Sequence, residues 1–227
     1  MMRVISFGRV WRDQALSENI LYFAYGSNLF LEQMRERIGS KPKVISGAYL
    51  ENHRLGFTLY SKLTWKGGVA DIVPEAGSKV WGAIYELTEE QLDKIDHYEG
   101  YKKDRDPKEN FYNRKEVEVV DEKEAKQPCL TYQAKVEDEK KRKYLYHRPS
   151  EKYYEVIRKG GKEHGLPGEF FEHLKTASVT ERNPVAIRMN DTSGMVILTP
   201  EEAAKRSRPS LKERLKQIRL KHSPKKS

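Results

Sequence analysis

The chain has 227 residues, 37% of them hydrophobic and 34% charged, with a formal net charge of +9. That is enough for one core of ordinary size with long polar surfaces, and no run approaches the roughly 18 consecutive apolar residues a membrane helix needs. Cys129 is the only cysteine, which excludes an intramolecular disulfide and a cysteine-based metal site and makes a reducing, cytoplasmic location the expectation.

The charge is unevenly placed. Ten basic residues and a single acid, Glu213, lie between 203 and 227 and account for the whole excess, so residues 1–202 are neutral in sum and have no electrostatic reason to bind polyanions. At the other end, Met1 to Ser17 carries Arg3, Arg9 and Arg12 against Asp13, a composition faintly similar to a mitochondrial presequence but short and poor in serine. A flexible leader over 1–19 is the expectation, followed by a domain over 20–178, a weakly ordered extension over 179–202 and the basic tail over 203–227.

The first element is the apolar segment Leu21-Tyr22-Phe23-Ala24, which breaks at Tyr25-Gly26-Ser27-Asn28 and resumes with helical spacing at Leu29, Leu31, Met34 and Ile38. Two readings of the break stand side by side. Ser27 or Asn28 caps the helix, or the turn presents backbone N–H groups to an anion. Gly39-Ser40-Lys41-Pro42 ends the helix. Lys43 to Ser61 reads as strand, Val69 to Pro74 and Val80 to Leu87 as a hairpin-like pair around Gly77, and Thr88-Glu89-Glu90-Gln91 as a capping box opening a helix with Leu92 and Ile95 inward.

A charged loop from Lys102 to Asn110 precedes strands at Tyr112 to Val120 and Cys129 to Val136, and Glu137 to Lys143 reads as a solvated charge run. Pro149-Ser150 opens a helix through Tyr153, Tyr154, Val156 and Ile157 that is predicted to stop at Gly160-Gly161. Another follows Pro167 through Phe170, Phe171 and Leu174. Val185 to Leu198 reads as a short strand pair and Thr199 as the start of a last helix. Strands and short helices in this order, without βαβ alternation, predict a mixed α/β (α+β) fold with a small mixed-sheet barrel and flanking helices.

Chemistry is scarce in the motifs. The six histidines show no metal-ligand spacing, and neither a G-x-S-x-G elbow nor a phosphate-binding G-x-x-x-x-G-K-[ST] loop is present, so no metal and no cofactor are expected. The remaining candidates are carboxylates. Glu99 stands at a helix end between Tyr98 and Gly100-Tyr101, an aromatic setting able to desolvate it and raise its pKa, with Glu89, Asp93 and Asp96 as rivals.

Four blocks in register give the chain a close resemblance to the γ-glutamylcyclotransferase family: Leu21 through Tyr25-Gly26-Ser27-Asn28-Leu29; Thr64-Trp65-Lys66-Gly67-Gly68-Val69-Ala70 with Val80-Trp81-Gly82; Leu92-Asp93 through Glu99-Gly100; and Pro149-Ser150 with Tyr153 through Gly161, Glu163 and Gly165-Leu166-Pro167. The resemblance spans about residues 20–175. It implies an enzyme that converts an L-γ-glutamyl amino acid to 5-oxoproline and the free amino acid in γ-glutamyl peptide and glutathione turnover. Glu99 would be the general base and acid, and the substrate would be held by Tyr22, Phe23, Ala24, Tyr25, Gly26, Ser27 and Tyr153. It also implies Tyr112 and Tyr132 beside the pocket, no cofactor, and a homodimer. The stretch from Gly100 to Tyr112 departs from the family pattern by its length and charge, which leaves the substrate side chain open.

Two other readings share the same residues. A γ-glutamylamine or glutathione cyclotransferase would use the same base and turn, with Asn28-Leu29 speaking against the glutathione-specific branch. A non-catalytic binding module would act through the tail, where Leu211, Leu215, Ile218 and Leu220 stand among basic residues that could contact nucleic acid or an acidic surface.

Overall fold

The computed structural model describes residues 19–179, 188–190 and 194–196. The leader up to residue 18, the helix expected from Thr199 and the basic tail lie outside the described residues. The chain divides into two compact units, 1–181 and 182–227. In the second, β6 (Arg188–Asn190) and β7 (Gly194–Val196) form the antiparallel pair expected between 185 and 198.

In the first unit, β1 (Asn19–Ala24), β2 (Lys43–Ser61), β3 (Gly67–Thr88), β4 (Tyr112–Asp121) and β5 (Lys126–Ala134) close into a barrel in the order β1-β3-β2-β4-β5. This is the mixed α/β barrel that the order of elements predicts. Two antiparallel hairpins, β2–β3 and β4–β5, make most of it, and β1 lies antiparallel on β3 from Ala24↔Ala83 to Asn19↔Thr88. Closure is thin. The parallel contact of β1 with β5 has one register pair, Tyr22↔Leu130, reinforced by the Thr131 hydroxyl donating to the Phe23 carbonyl at 2.8 Å and the Tyr25 hydroxyl to the Tyr132 carbonyl at 2.5 Å.

The predicted pair Val69 to Pro74 and Val80 to Leu87 is instead one continuous strand, β3, whose hairpin partner is β2. The residues that suggested a turn form a bulge. Glu51 pairs with Lys79 and His53 with Pro74, while Asn52, at φ 56°, accepts the Gly77 N–H on its side chain at 3.1 Å.

Among the described residues four α-helices cover the barrel: α1 (Leu31–Ile38), α2 (Glu89–Glu99), α3 (Glu151–Glu163) and α4 (Gly168–Val179). Met34 and Ile38, Leu92 and Ile95, Ile157, and Phe170 and Leu174 face a common core with Phe23, Phe57, Ile72, Ile84 and Leu87. The capping box at Thr88 and Gln91 is present in full. At α1 the expected cap is not. Its N-cap is Phe30, preceded by a 3-10 turn over Ser27–Leu29, and the Leu31 N–H is taken by Glu163 of α3 at 2.8 Å.

Helix α3 does not stop at Gly160-Gly161 but runs through both to Glu163. The glycines are there for contact. A Cβ on Gly160 would lie 2.5 Å from the Leu29 carbonyl carbon and 2.6 Å from the Phe30 nitrogen, and one on Gly161 would lie 2.0 Å from the Phe170 ring. Because the Gly160 neighbour is backbone, Gly160→Ala is expected to destabilise the domain by about 2 kcal/mol, measured by urea unfolding, by forcing the turn away from α3.

The Glu137–Lys143 run is not simply solvated. It folds into a 3-10 turn over Glu139–Tyr144 that buries Arg142, 3% exposed, against Asp71 of β3, 0% exposed. Asp71 also accepts from Thr58 at 2.6 Å and from the Ala134 N–H at 3.0 Å, and Arg142 donates to the Ala134 carbonyl and to both oxygens of Glu139.

Candidate active site

Helix α2 aims Glu99 at the barrel. Leu92, Ile95, Asp96 and Glu99 recur at i, i+3, i+4 and i+7, so the last carboxylate prolongs the apolar face that anchors the helix. Gly100, at φ 65°, then ends the helix in the left-handed conformation. Of the rival acids, Glu89 and Asp93 are exposed, while Asp96 is held by Arg114 in a two-point ion pair and accepts the Tyr132 hydroxyl at 2.6 Å.

The Glu99 side chain is 15% exposed and receives two hydrogen bonds, from Asn28 Nδ2 and Arg37 Nη1, each at 3.1 Å on Oε1. Oε2 has no hydrogen-bond partner among the described residues. Asn28 is the hub. Its Nδ2 also donates to the Tyr22 hydroxyl at 2.7 Å, and its Oδ1 accepts from Arg37 at 2.6 Å, so the turn and the carboxylate are tied together directly. Arg37 in addition stacks over the Tyr98 ring, 5.0 Å from its centroid.

The turn is braced from behind. The Tyr85 hydroxyl lies 3.1 Å from the Asn28 carbonyl, and His164 Nε2 lies 2.9 Å from the Leu29 carbonyl and 2.7 Å from the Tyr85 hydroxyl. The bonds of the turn run from Leu29 N–H to Gly26 C=O and from Phe30 N–H to Ser27 C=O, so the N–H groups of Gly26, Ser27 and Asn28 precede the first donor of its ladder.

Around the turn and Glu99 lies a cavity of about 310 Å3, its open mouth included, walled by Tyr22, Tyr25, Tyr112, Tyr132 and Tyr153 and by Ala70. The tyrosines have structural work as well. Strand β3 pairs with β1 only from Ala83 onward, so its edge at Ala70 is open, and there the Ala70 N–H donates to the Tyr153 hydroxyl at 3.0 Å while its carbonyl accepts from Tyr112 at 2.7 Å. Gly26 fits beneath: a Cβ would sit 3.2 Å from Ala70 Cβ and 3.3 Å from the Tyr153 hydroxyl.

Burial dominates the electrostatics. It raises Glu99 above the ordinary carboxylate value, with Asp96 adding in the same direction, and the Arg37 charge and the two hydrogen bonds oppose it only in part. Burial likewise holds Tyr22, Tyr25, Tyr112 and Tyr132 well above the usual phenol range and pushes Tyr153 up to about 12, so all five hydroxyls are protonated near neutrality. The site thus combines one carboxylate poised above its ordinary range with a ring of neutral phenols, three of which already donate to protein acceptors: Tyr25 to the Tyr132 carbonyl, Tyr112 to the Ala70 carbonyl and Tyr132 to Asp96. Among the described residues no group of three or more His, Cys, Asp or Glu is placed to hold a metal.

Of the residues singled out in the sequence, Glu99, Tyr22, Tyr25, Gly26, Ser27, Tyr112, Tyr132 and Tyr153 line this one cavity. Phe23 and Ala24 belong to the same strand but do not line it; both are packed in the core. Asn28, Arg37 and Ala70 were missed as contributors. Arg37 had a readable signal, since it lies three residues after buried Met34 and next to buried Ile38, at the margin of the inward face.

Residues 79–174 match the model of the AIG2-like family. The chain is 32% identical to the γ-glutamylcyclotransferase of Homo sapiens over 192 residues, covering 83% of this chain and 89% of that protein, and 31% identical to that of Bos taurus with the same coverage. A solved structure described as γ-glutamyl cyclotransferase superposes with a TM-score of 0.60 at 31% identity, over 84% of this chain and 100% of that one. No helix of the described residues is long and apolar enough to cross a membrane. With that identity extending over most of both chains and a common barrel, the chain belongs to the γ-glutamylcyclotransferase family.

Proposed function

We propose that the protein converts an L-γ-glutamyl amino acid into 5-oxoproline and the free amino acid, with Glu99 moving the protons. The observation that carries this reading is the single carboxylate of the cavity, largely shielded and with one oxygen that accepts no hydrogen bond among the described residues, in a lining that is otherwise uncharged. The α-amine of the γ-glutamyl group gives a proton to Glu99 and attacks its own γ-carbonyl carbon. The five-membered ring closes, the carbon–nitrogen bond to the second amino acid breaks, and Glu99 returns the proton to the departing amine.

The nucleophile is tethered to its target, so a large part of the acceleration comes from holding one rotamer. The N–H groups of Gly26 and Ser27 suit the substrate carboxylate and the oxyanion, and Tyr22 and Tyr153, whose hydroxyls accept from Asn28 and from the Ala70 N–H, suit the remaining polar atoms. The raised pKa of Glu99 favours the proton-transfer role, because a base near the carboxylate reference value would hold the amine proton too weakly.

The test is incubation with γ-glutamyl-L-alanine, γ-glutamyl-ε-lysine and glutathione, with 5-oxoproline measured. Turnover of the first is expected; turnover of glutathione alone would reassign the substrate, and turnover of none would overturn the enzyme reading. Arg37→Met removes the charge that lowers the Glu99 pKa, so the acid limb of kcat/KM is expected to move to higher pH by about one unit, and Arg37→Lys to restore most of it. An unmoved limb would show that Glu99 is not the group that titrates.

A further inference from the structure

A second concavity lies between the ends of β4 and β5 and the two 3-10 turns at Pro107–Glu109 and Glu139–Tyr144. It holds about 610 Å3 with its mouth, against about 310 Å3 for the tyrosine-walled cavity. Its wall carries Lys108, Arg114, Lys115, Lys135 and Arg142 with Glu139 as the lone carboxylate, and no aromatic side chain.

These cations are not equivalent. Arg142 is committed to Asp71 and Glu139, Arg114 to Asp96, and Lys135 to the exposed Glu137. Lys108 and Lys115 have no carboxylate within ion-pair distance among the described residues, and the Lys115 ammonium has only the Gln133 side-chain oxygen, at 3.4 Å. Half-buried, with Arg142 as a near like charge, Lys115 has its pKa lowered even though Glu139 and Asp71 act in the opposite direction.

We propose that this groove binds a compact, non-aromatic dianion of the phosphate-ester or dicarboxylate type, with Lys115 and Lys108 as its counter-charges. Two unpaired cations set the charge of the occupant, and a wall without aromatic side chains offers a base no ring to stack on. The charged connector after Glu99 has its place here: Pro107 and Lys108 line this groove, and no residue of that connector lines the tyrosine-walled cavity. The occupant would also lie against Arg114, the ion-pair partner of Asp96, which stands three residues before Glu99 on α2.

The test uses the full chain, titrated separately with glycerol phosphate and with succinate, and reads 15N amide shifts together with calorimetry. Saturable shifts are expected at Asn113, Lys115, Gln133 and Lys135 with at least one of the two probes, and which one responds distinguishes a phosphate from a carboxylate ligand. Lys115→Met is expected to weaken binding about tenfold and Lys108→Ala about threefold, as loss of one contacting charge would. Lys103→Ala, which removes a charge of the same connector outside the groove, should leave affinity unchanged, and the basic tail is a background common to all variants. Shifts confined to the tail, no saturable shift with either probe, or equal weakening by Lys103→Ala would overturn the proposal.

Discussion

Glu99→Gln is expected to lower kcat on γ-glutamyl-L-alanine by about 10³-fold, the scale of a lost general base that also serves as the acid, while the dissociation constant changes little. Gln keeps the acceptor oxygen that Asn28 and Arg37 hold but cannot take the amine proton. Single-turnover kinetics and calorimetry separate the two quantities, and wild-type turnover in the variant would remove Glu99 from the mechanism.

The same variant carries a stability signature. The folded-state pKa of Glu99 lies above its unfolded value, so the stability linked to its proton is complete below the unfolded value and is lost as pH rises through the folded one. At neutral pH the ionised carboxylate therefore costs the wild type stability that the neutral Gln does not. Glu99→Gln is expected to unfold at equal or higher urea than the wild type at pH 7, with the difference vanishing under acidic conditions. A site residue kept for function at the expense of stability behaves this way.

Arg142→Met is expected to produce the largest loss of stability, about 3–5 kcal/mol by urea unfolding at pH 7, because it strands the Asp71 carboxylate at 0% exposure with only Thr58 and the Ala134 N–H as partners. Burial already raises Asp71 above the ordinary value despite Arg142, and removing the arginine raises it further. The linked stability is again present below the unfolded pKa and lost as pH rises through the folded one. The variant's deficit should therefore shrink as the pH falls and Asp71 protonates. Asp71→Asn with Arg142→Met removes both charges and should recover much of the loss.

Features set by neighbouring residues were legible in the sequence. The Thr88 capping box, the inward spacing of Leu92 and Ile95 that carries on to Glu99, and the strands of the β4–β5 hairpin depend on contacts a few residues apart. The hub at Asn28 was not. Its side chain has the chemistry of a helix cap, and only the fold brings it to Glu99, 71 residues away, where that chemistry is used instead.

Glycine was misread twice for one reason. Gly77 accommodates a bulge and Gly160-Gly161 a helix crossing, yet all three have the local signature of a break, because sequence shows that a side chain is missing without showing what fills its place. Arg142 sat in a run whose average is that of solvated surface, and one buried member does not change an average.

The thin seam between β1 and β5 has a consequence for access. With one backbone pair at Tyr22↔Leu130 and side-chain hydroxyls supplying the adjacent stitches, this is where the barrel has the least cooperative ladder to break, whereas β2 and β3 are zipped over most of their length. Tyr22, Tyr25 and Tyr132 border both the seam and the cavity. Opening of this seam would therefore widen the pocket, and a ligand that bridges Tyr25 and Tyr22 from inside is expected to slow amide exchange along Leu130 to Tyr132, acting as the rung the sheet lacks.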